Sequence, residues 1–418
     1  MPGKWIAGIA VIACTAFVGS SQAFAATQRY ASPAGNGTAC ASASPCSLET
    51  AVNSAANGDE IIIPPGDYPV SVTLNVPPNG YAHGVHGQPA PRIHLGAHFL
   101  NTTGPGSRLS YVRIDGANQP LDVNTNTEAD QVYVQGTAGG ACLVYGTLID
   151  SVCWTAASGG EAIAGGVSLS FTPILRNVTA WAAGSGGIGI EYHASGGGSG
   201  HLTLTAVNVI AHGALADISA QATLPDTTTV NIDHSNFATQ TLSGTGATIN
   251  ATATQTQPPL FANAAAGDFS ETPGSPTINA GVTSAANGPF DVLGLSRTIG
   301  GATDIGAYEF DPFKGVTLGT HKAKVKKRKA KVAIGCPADA PPPCAGTLEL
   351  TYAGGHKTAG SAAFSIAPGA TATVNVKISK KALKKLKRKG KLATLAAAAA
   401  TDGAGRSVTT SGAVKLKG

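Results

Sequence analysis

Val112-Arg113-Ile114-Asp115 and, twenty residues on, Val132-Tyr133-Val134-Gln135 carry the decision about fold. In each, apolar residues two apart alternate with more polar ones, the spacing that places one set of side chains on one face of a strand. The same apolar pair recurs as Val72/Leu74, Ile93/Leu95, Val152/Trp154, Val178/Ala180, Val207/Val209 and Val230/Ile232, and the steps through the whole series are 21, 19, 20, 20, 26, 29 and 23 residues. Runs led by glycine fall between these pairs: Gly139-Gly140-Ala141-Cys142-Leu143-Val144, Gly159-Gly160-Glu161-Ala162-Ile163 and Gly186-Gly187-Ile188-Gly189-Ile190. A short strand recurring every ~20–30 residues describes a stacked solenoid, in which each coil pairs its backbone with its neighbours. No helical period competes in this region. A sandwich or barrel is the architectural alternative.

Composition agrees. Of 418 residues, 54 are glycine and only 12% are charged, which argues against a coiled coil, while 43% hydrophobic residues exclude a wholly disordered chain. The start reads as an export signal: Met1–Lys4 is positive, Trp5–Val18 is apolar, and Ala23-Phe24-Ala25 is a small-x-small cleavage site. The apolar run is shorter than the ~20 residues that span a bilayer, and no later segment reaches that length. Residues 1–25 are therefore expected to be a signal peptide, with no transmembrane segment after its removal. Of seven cysteines, Cys14 leaves with the signal. The other six fall in close pairs, Cys40/Cys46, Cys142/Cys153 and Cys336/Cys344, which in an exported chain read as disulfides. The middle pair requires both side chains on the same side of the backbone, which the strand register leaves open.

Charge divides the chain. Residues 26–311 hold six basic and twenty acidic residues, net −14, whereas 312–418 hold 21 Lys or Arg and three acids, net +18. A boundary near 311–320 follows. The first part is expected to be the solenoid, 312–328 a basic linker, and 329–418 a basic β-domain. Within that domain Ala372, Val374, Val376 and Ile378 alternate with Thr373, Asn375, Lys377 and Ser379. About 100 residues with six or seven such runs point to a small immunoglobulin-like β-sandwich, with Leu383 and Leu386 facing inward from a helical turn in Lys380–Lys391.

Two ends of the solenoid resemble known families. The opening, Tyr30-Ala31-Ser32-Pro33-Ala34-Gly35-Asn36-Gly37 with Cys40, Pro45-Cys46, Gly58-Asp59-Glu60-Ile61 and Pro65-Gly66-Asp67-Tyr68, resembles that of secreted right-handed parallel β-helix proteins of the pectin-lyase-like class. The resemblance implies a capping helix at Ala51–Ala56. The far end, Ser275-Pro276-Thr277-Ile278-Asn279-Ala280-Gly281 with Asp291, Gly294, Arg297 and Asp304-Ile305-Gly306-Ala307-Tyr308-Glu309-Phe310, resembles the terminal signature of the choice-of-anchor Q family. That family pairs a β-helix with varied surface-attachment tails. The resemblance covers roughly residues 29–310 and implies that Arg297 and Asp304 close the last coil. The basic domain resembles accessory β-sandwiches of exported bacterial proteins. The fold expected is all-β: a right-handed parallel β-helix followed by a small immunoglobulin-like β-sandwich.

Enzymatic chemistry finds little purchase in the sequence. A lyase acting on uronates needs a basic residue to remove a proton and cations to neutralise its substrate, and the β-helix carries no lysine and a negative charge. A glycoside hydrolase needs two carboxyls about 5 Å or 6.5–9.5 Å apart. With Val112/Ile114 and their equivalents inward, Arg113, Asp115, Tyr133, Gln135, Trp181, Asn208, Asn231 and Asp233 are expected to stack outward. Of these, Arg113, Tyr133, Trp181, Asn208 and Asn231 are the ligand-binding candidates. Asp115, Glu191, His193, Asp233 and His234 are the acid–base candidates. No metal ligand set is expected, and calcium has only scattered aspartates to draw on. Lys322–Lys331 and Lys380–Lys391 are dense positive runs without the interleaved aromatics of a nucleic-acid binder. The expected partners are extracellular polysaccharide or an anionic cell-envelope polymer, and no nucleic acid. The expected place is secreted or at the cell surface. The expected role is a non-catalytic surface module, with a polysaccharide-degrading hydrolase or lyase as the alternative.

Overall fold

A computed structural model describes residues 27–167, 170–197, 200–338, 340, 342–353, 357–402 and 407–418. The expected signal peptide, 1–25, lies outside the described residues. Two long parallel sheets form the first part, and their strands alternate along the chain as a right-handed parallel β-helix. One sheet runs from Leu74–Val76 to Gln240–Ser243 through short strands. The other is built of longer strands, among them Arg108–Gly116, Glu128–Gly136, Thr147–Thr155 and Ile174–Ala182. Each of these bends at one residue in the left-handed region: Tyr111 (φ 54°), Gln131 (53°), Asp150 (49°) and Asn177 (53°), with Asn208 (55°) at the next coil. A single left-handed residue turns an extended chain sharply, so one strand covers two faces and the two sheets enclose a three-sided core.

That core is apolar from Ala31 to Phe237. Val112 pairs with Val132 and Ile114 with Val134, all buried. The next coil is one residue shorter: Val132 is 19 residues before Ser151, and Tyr133 pairs with Val152. A one-residue shift exchanges the faces of a strand. Val152 and Trp154 therefore point outward, contrary to the repeat as read from sequence, and Ser151 and Cys153 point inward. This inward turn lets Cys153 meet Cys142 of the opposite sheet in a disulfide with a Cα separation of 6.0 Å. Val207 also departs from the inward series, because the left-handed Asn208 separates it from Val209.

The open end of the first coil is covered by a helix, Leu48–Asn53, three residues earlier than expected. Ser47 sets its start by accepting a hydrogen bond from the Thr50 amide. Leu48, Ala51 and Val52 face the core. At its other end, the Arg29 guanidinium donates to the carbonyls of Ala51 (2.8 Å) and Thr50 (3.1 Å), the latter shared with the Ser54 amide. Cys40–Cys46 staples the loop beside it.

After the last coil the chain turns back. Residues 258–310 run along the outside of the bent sheet, towards the first coils, as a strap. The bend residues hold it rung by rung. Asn208 exchanges hydrogen bonds with Val282 (2.8 and 2.9 Å), Asn177 donates to the Asn287 carbonyl (3.0 Å), Asp150 pairs with Arg297, and Gln131 donates to the Asp291 carbonyl (2.6 Å). Arg297 is 2% exposed. It also reaches Glu309 (3.5 Å) and the carbonyls of Gly306 and Ala307. Asp304, expected beside Arg297 as its partner, instead accepts from the amides of Asn279 and Phe310.

Residues 313–418 have their own apolar core, from Phe313 to Leu416, and a third disulfide, Cys336–Cys344. Thr317–Leu318 and Lys322–Lys326 are strands, and Phe313, Val316 and Ala323 are buried, so the stretch expected as a linker belongs to this domain. The strand Lys329–Gly335 pairs with Lys322–Lys326 on one side and with Thr371–Ile378 on the other. That second pairing closes the sheet on itself. The domain is a seven-stranded barrel rather than the two-sheet sandwich expected. A helix, Lys380–Lys389, starts at Ser379 and ends at the left-handed Gly390. It buries Ala382 and Leu386, while Leu383 packs at the edge of the core.

Candidate functional site

The outward column that promised an aromatic groove runs His94, Asp115, Gln135, Trp154, Trp181 and His212 through successive strands. The strap covers its centre. Phe269, fully buried, sits 6.0 Å from the Trp154 ring and 5.6 Å from Trp181, and Phe261 meets Trp181 edge-on at 5.3 Å. Tyr133 is 9% exposed and donates to the Gly267 carbonyl. Gly267 is required at this contact: a Cβ there would lie 2.5 Å from the Trp154 ring. Tyr133 and Asn208 therefore point out of the helix but meet its own strap, not solvent. Asn231 and Asp233 are corrected differently. They precede the bend, opposite Thr205 and Val207, and lie on another face from Arg113 and Trp181. Asn231 accepts from the Asn250 amide (2.9 Å), a side-chain ladder. Asp233 stands 2.9 Å from His234 and accepts from the Thr252 hydroxyl.

What stays accessible lies at the two ends of the column. Arg113 is exposed, its guanidinium 4.2 Å over the Tyr133 ring. Beside it His94 stands between two carboxylates, Nδ1 2.8 Å from Asp115 and Nε2 3.3 Å from Asp67. The Asp115 contact, then the Asp67 contact, outweigh partial burial and hold the His94 pKa above its ordinary value. Both ring nitrogens of His94 are thus engaged by carboxylates. At the other end, Trp181 stacks on His212 at 3.9 Å, and the pair walls a 260 Å³ cavity with Phe237, Pro258 and Pro259. Burial lowers the His212 pKa. Asp217, 3.6 Å from His212, is held by the amides of Gly213, Ala238 and Thr239. Neither His212 nor Asp217 was singled out by sequence. The only available signal was the alignment of His212 with Trp181, one coil on.

Glu191 and His193 occupy the opposite face, on the short-strand sheet. Glu191 accepts from the Gln221 amide, and burial together with Glu161 raises its pKa. The His193 ring lies over Gly166, where a Cβ would stand 2.1 Å from it. Asp122 shares the Glu191 column three strands away, hence about 14 Å at the strand spacing, beyond the reach of a glycosidase carboxyl pair. Burial pushes the Asp122 pKa up to about 6, and its Oδ1 has no partner. Among the described residues no group of three His, Cys, Asp or Glu side chains is placed to hold a metal ion, and no helix is long and apolar enough to cross a membrane.

The barrel presents a different surface. Its strands alternate, and in Lys322–Lys326, Lys329–Gly335 and Ser407–Lys417 lysines flank buried residues. Lys322 and Lys324 lie beside Lys415 and Lys417, which lie beside Ala393 and Lys391. On the far side Lys329 faces Lys377. Glu349, one of the few acids here, accepts from the Thr358 hydroxyl. The dense runs of the sequence are thus the outward rows of one closed sheet and the exposed side of its helix.

No family model matches the chain, and no curated protein matches it.

Proposed function

We propose that the protein is an exported, non-catalytic surface module, in which the basic barrel attaches to an anionic extracellular polymer and the β-helix is a rigid arm. The observation that carries this reading is the division of charge between two separately cored units. After Lys4 there is no lysine before Lys314, and the barrel turns its lysines outward. Attraction of that kind weakens as the screening length falls from ~10 Å at 0.1 M salt to ~3 Å at 1 M. Export is supported by three disulfides. Membership of the choice-of-anchor Q family is part of the proposal. Its support is the terminal signature, whose Asp291, Arg297, Asp304 and Glu309 together hold the strap. The arm's contact with polysaccharide is placed at the cavity beside Trp181 and His212, which is of a size for one glycosyl unit. The reading is tested by incubating the mature chain with neutral and acidic polysaccharides. Salt-sensitive binding without release of reducing ends or unsaturated products supports it, and release of either product overturns it in favour of an enzyme.

A further inference from the structure

The barrel's lysines converge at one place. Gly390 ends the helix in the left-handed conformation and turns the chain directly into the strand Lys391–Thr401. Lys389 and Lys391 therefore stand on either side of one turn. Lys415 is brought beside them by its pairing with Ala393, and Lys385 by its place one helical turn before Lys389. Together they line an open cleft of 680 Å³ with Tyr352 and Leu392. The Lys385 ammonium lies 4.6 Å from the centre of the Tyr352 ring, a cation–π contact that covers the aromatic face. The Tyr352 hydroxyl is buried and has no hydrogen-bond partner. Among the described residues no acidic side chain lines the cleft. The helix C-terminus contributes about half a negative charge, which four ammonium groups outnumber.

We propose that this cleft is a phosphate site, taking successive phosphate groups of a polyol-phosphate or glycan-phosphate polymer. The inference rests on the attachment reading above and gives it a location and a ligand class. Four ammoniums are point donors, suited to the tetrahedral oxygens of phosphate. Planar carboxylates are matched better by the paired donors of arginine, and among the described residues no arginine lines the cleft. A bilayer surface fits less well, because Ala382 and Leu386 of the helix are buried in the barrel and leave it without an apolar face to insert. Single-stranded nucleic acid would need an open aromatic face for stacking, and Lys385 occupies that of Tyr352.

The test uses the full mature chain, with sodium polyphosphate and polygalacturonate of matched charge as soluble probes. Equimolar phosphatidylserine–phosphatidylcholine vesicles and single-stranded DNA serve as the other two. Three variants are compared: K389Q/K391Q/K415Q in the cleft, K329Q/K331Q/K377Q on the far side of the barrel with the same loss of charge, and Tyr352→Phe. Polyphosphate is expected to bind most tightly. The cleft triple is expected to lose about tenfold or more in affinity and the far-side triple about twofold. Tyr352→Phe keeps the ring beneath Lys385 and is expected to hold polyphosphate affinity within about twofold. Equal losses for the two triples would overturn the site while leaving diffuse attachment standing. Tighter binding of polygalacturonate, vesicles or DNA than of polyphosphate would overturn the ligand class. No binding of any polyanion by the wild type would overturn the attachment reading and this inference with it.

Discussion

In the β-helix the strands stack one beyond the next and leave exposed ends, whereas in the barrel the strand Lys329–Gly335 returns to pair with Thr371–Ile378 and leaves none. The first arrangement needs added parts: a capping helix at Leu48–Asn53 and a strap of some fifty residues fastened along the bend. The second needs only its own strands and can spend its outer surface on charge. The difference also decides which aromatics meet solvent. Trp154 and Tyr133 point outward, but the strap that steadies the β-helix has taken that face. The same strap concentrates buried carboxyls, while the barrel has three acids in 107 residues.

The comparison breaks most visibly at Arg297. Arg297→Met leaves Asp150 buried without its cation, and the expected cost to the β-helix is about 3–5 kcal/mol. Urea unfolding should show the β-helix transition displaced and the barrel transition unmoved, since no core residue is shared between them. A cost shared by both transitions would mean that the units are not independent. Phe269→Ala is expected to cost about 3–4 kcal/mol and to loosen the strap. The chain's three tryptophans are Trp5, in the expected signal, and Trp154 and Trp181, both in contact with Phe269. Tryptophan emission in the mature chain should therefore shift to the red while far-ultraviolet dichroism stays.

Acidity separates the two units next. Burial raises the pKa of Asp122 to about 6, Asp130 to about 7 and Glu271 to about 8, and each has an oxygen without a partner. A carboxyl with a folded pKa above its unfolded value of ~4 binds protons more tightly in the native state, so β-helix stability should fall as pH rises from about 4 to 8. Asp122→Asn should then stabilise by about 1–2 kcal/mol at pH 7.5 and have no effect at pH 4. A gain that persists at pH 4 would assign the cost to packing instead. The smallest effect belongs to the barrel. Lys327 and Arg328 form a two-residue hairpin turn with φ of 45° and 63°, a conformation that Asn-Gly adopts without strain. The K327N/R328G variant should raise the barrel's stability by about 0.5–1 kcal/mol and leave the β-helix transition where it is.

Much of the architecture was legible because a strand on a packed face must alternate, and Val112/Ile114 and Val132/Val134 did so. The reading slipped at Val152, where the coil is one residue shorter and Trp154 looked as apolar as any core residue. Cys153 held the information that would have corrected it, since a disulfide to Cys142 requires Cys153 to face the lumen. The bends were legible in part: Asn177-Val178 and Asn208-Val209 each place a residue tolerant of positive φ before an inward valine. The strap was not legible, although its terminal motif was. Its partners lie up to 160 residues away, as Gln131 and Asp291 do, and no local pattern reports such a contact. The outward face was thus largely found, and its occupant was missed. In the barrel, alternation revealed the strands but not the closing pair Val332 and Val374, which distinguishes a barrel from a sandwich.

The central claim is that electrostatic attachment to polyanions belongs to the barrel and not to the β-helix. The most direct measurement is a salt titration of polyanion binding by the mature chain and by residues 26–311 alone, with the folded state of each checked by its unfolding transition. The account predicts that the whole chain binds at ~0.05 M salt and is released towards ~1 M, and that residues 26–311 bind at neither. Retention of binding by residues 26–311, or binding by the whole chain that salt does not weaken, would contradict it.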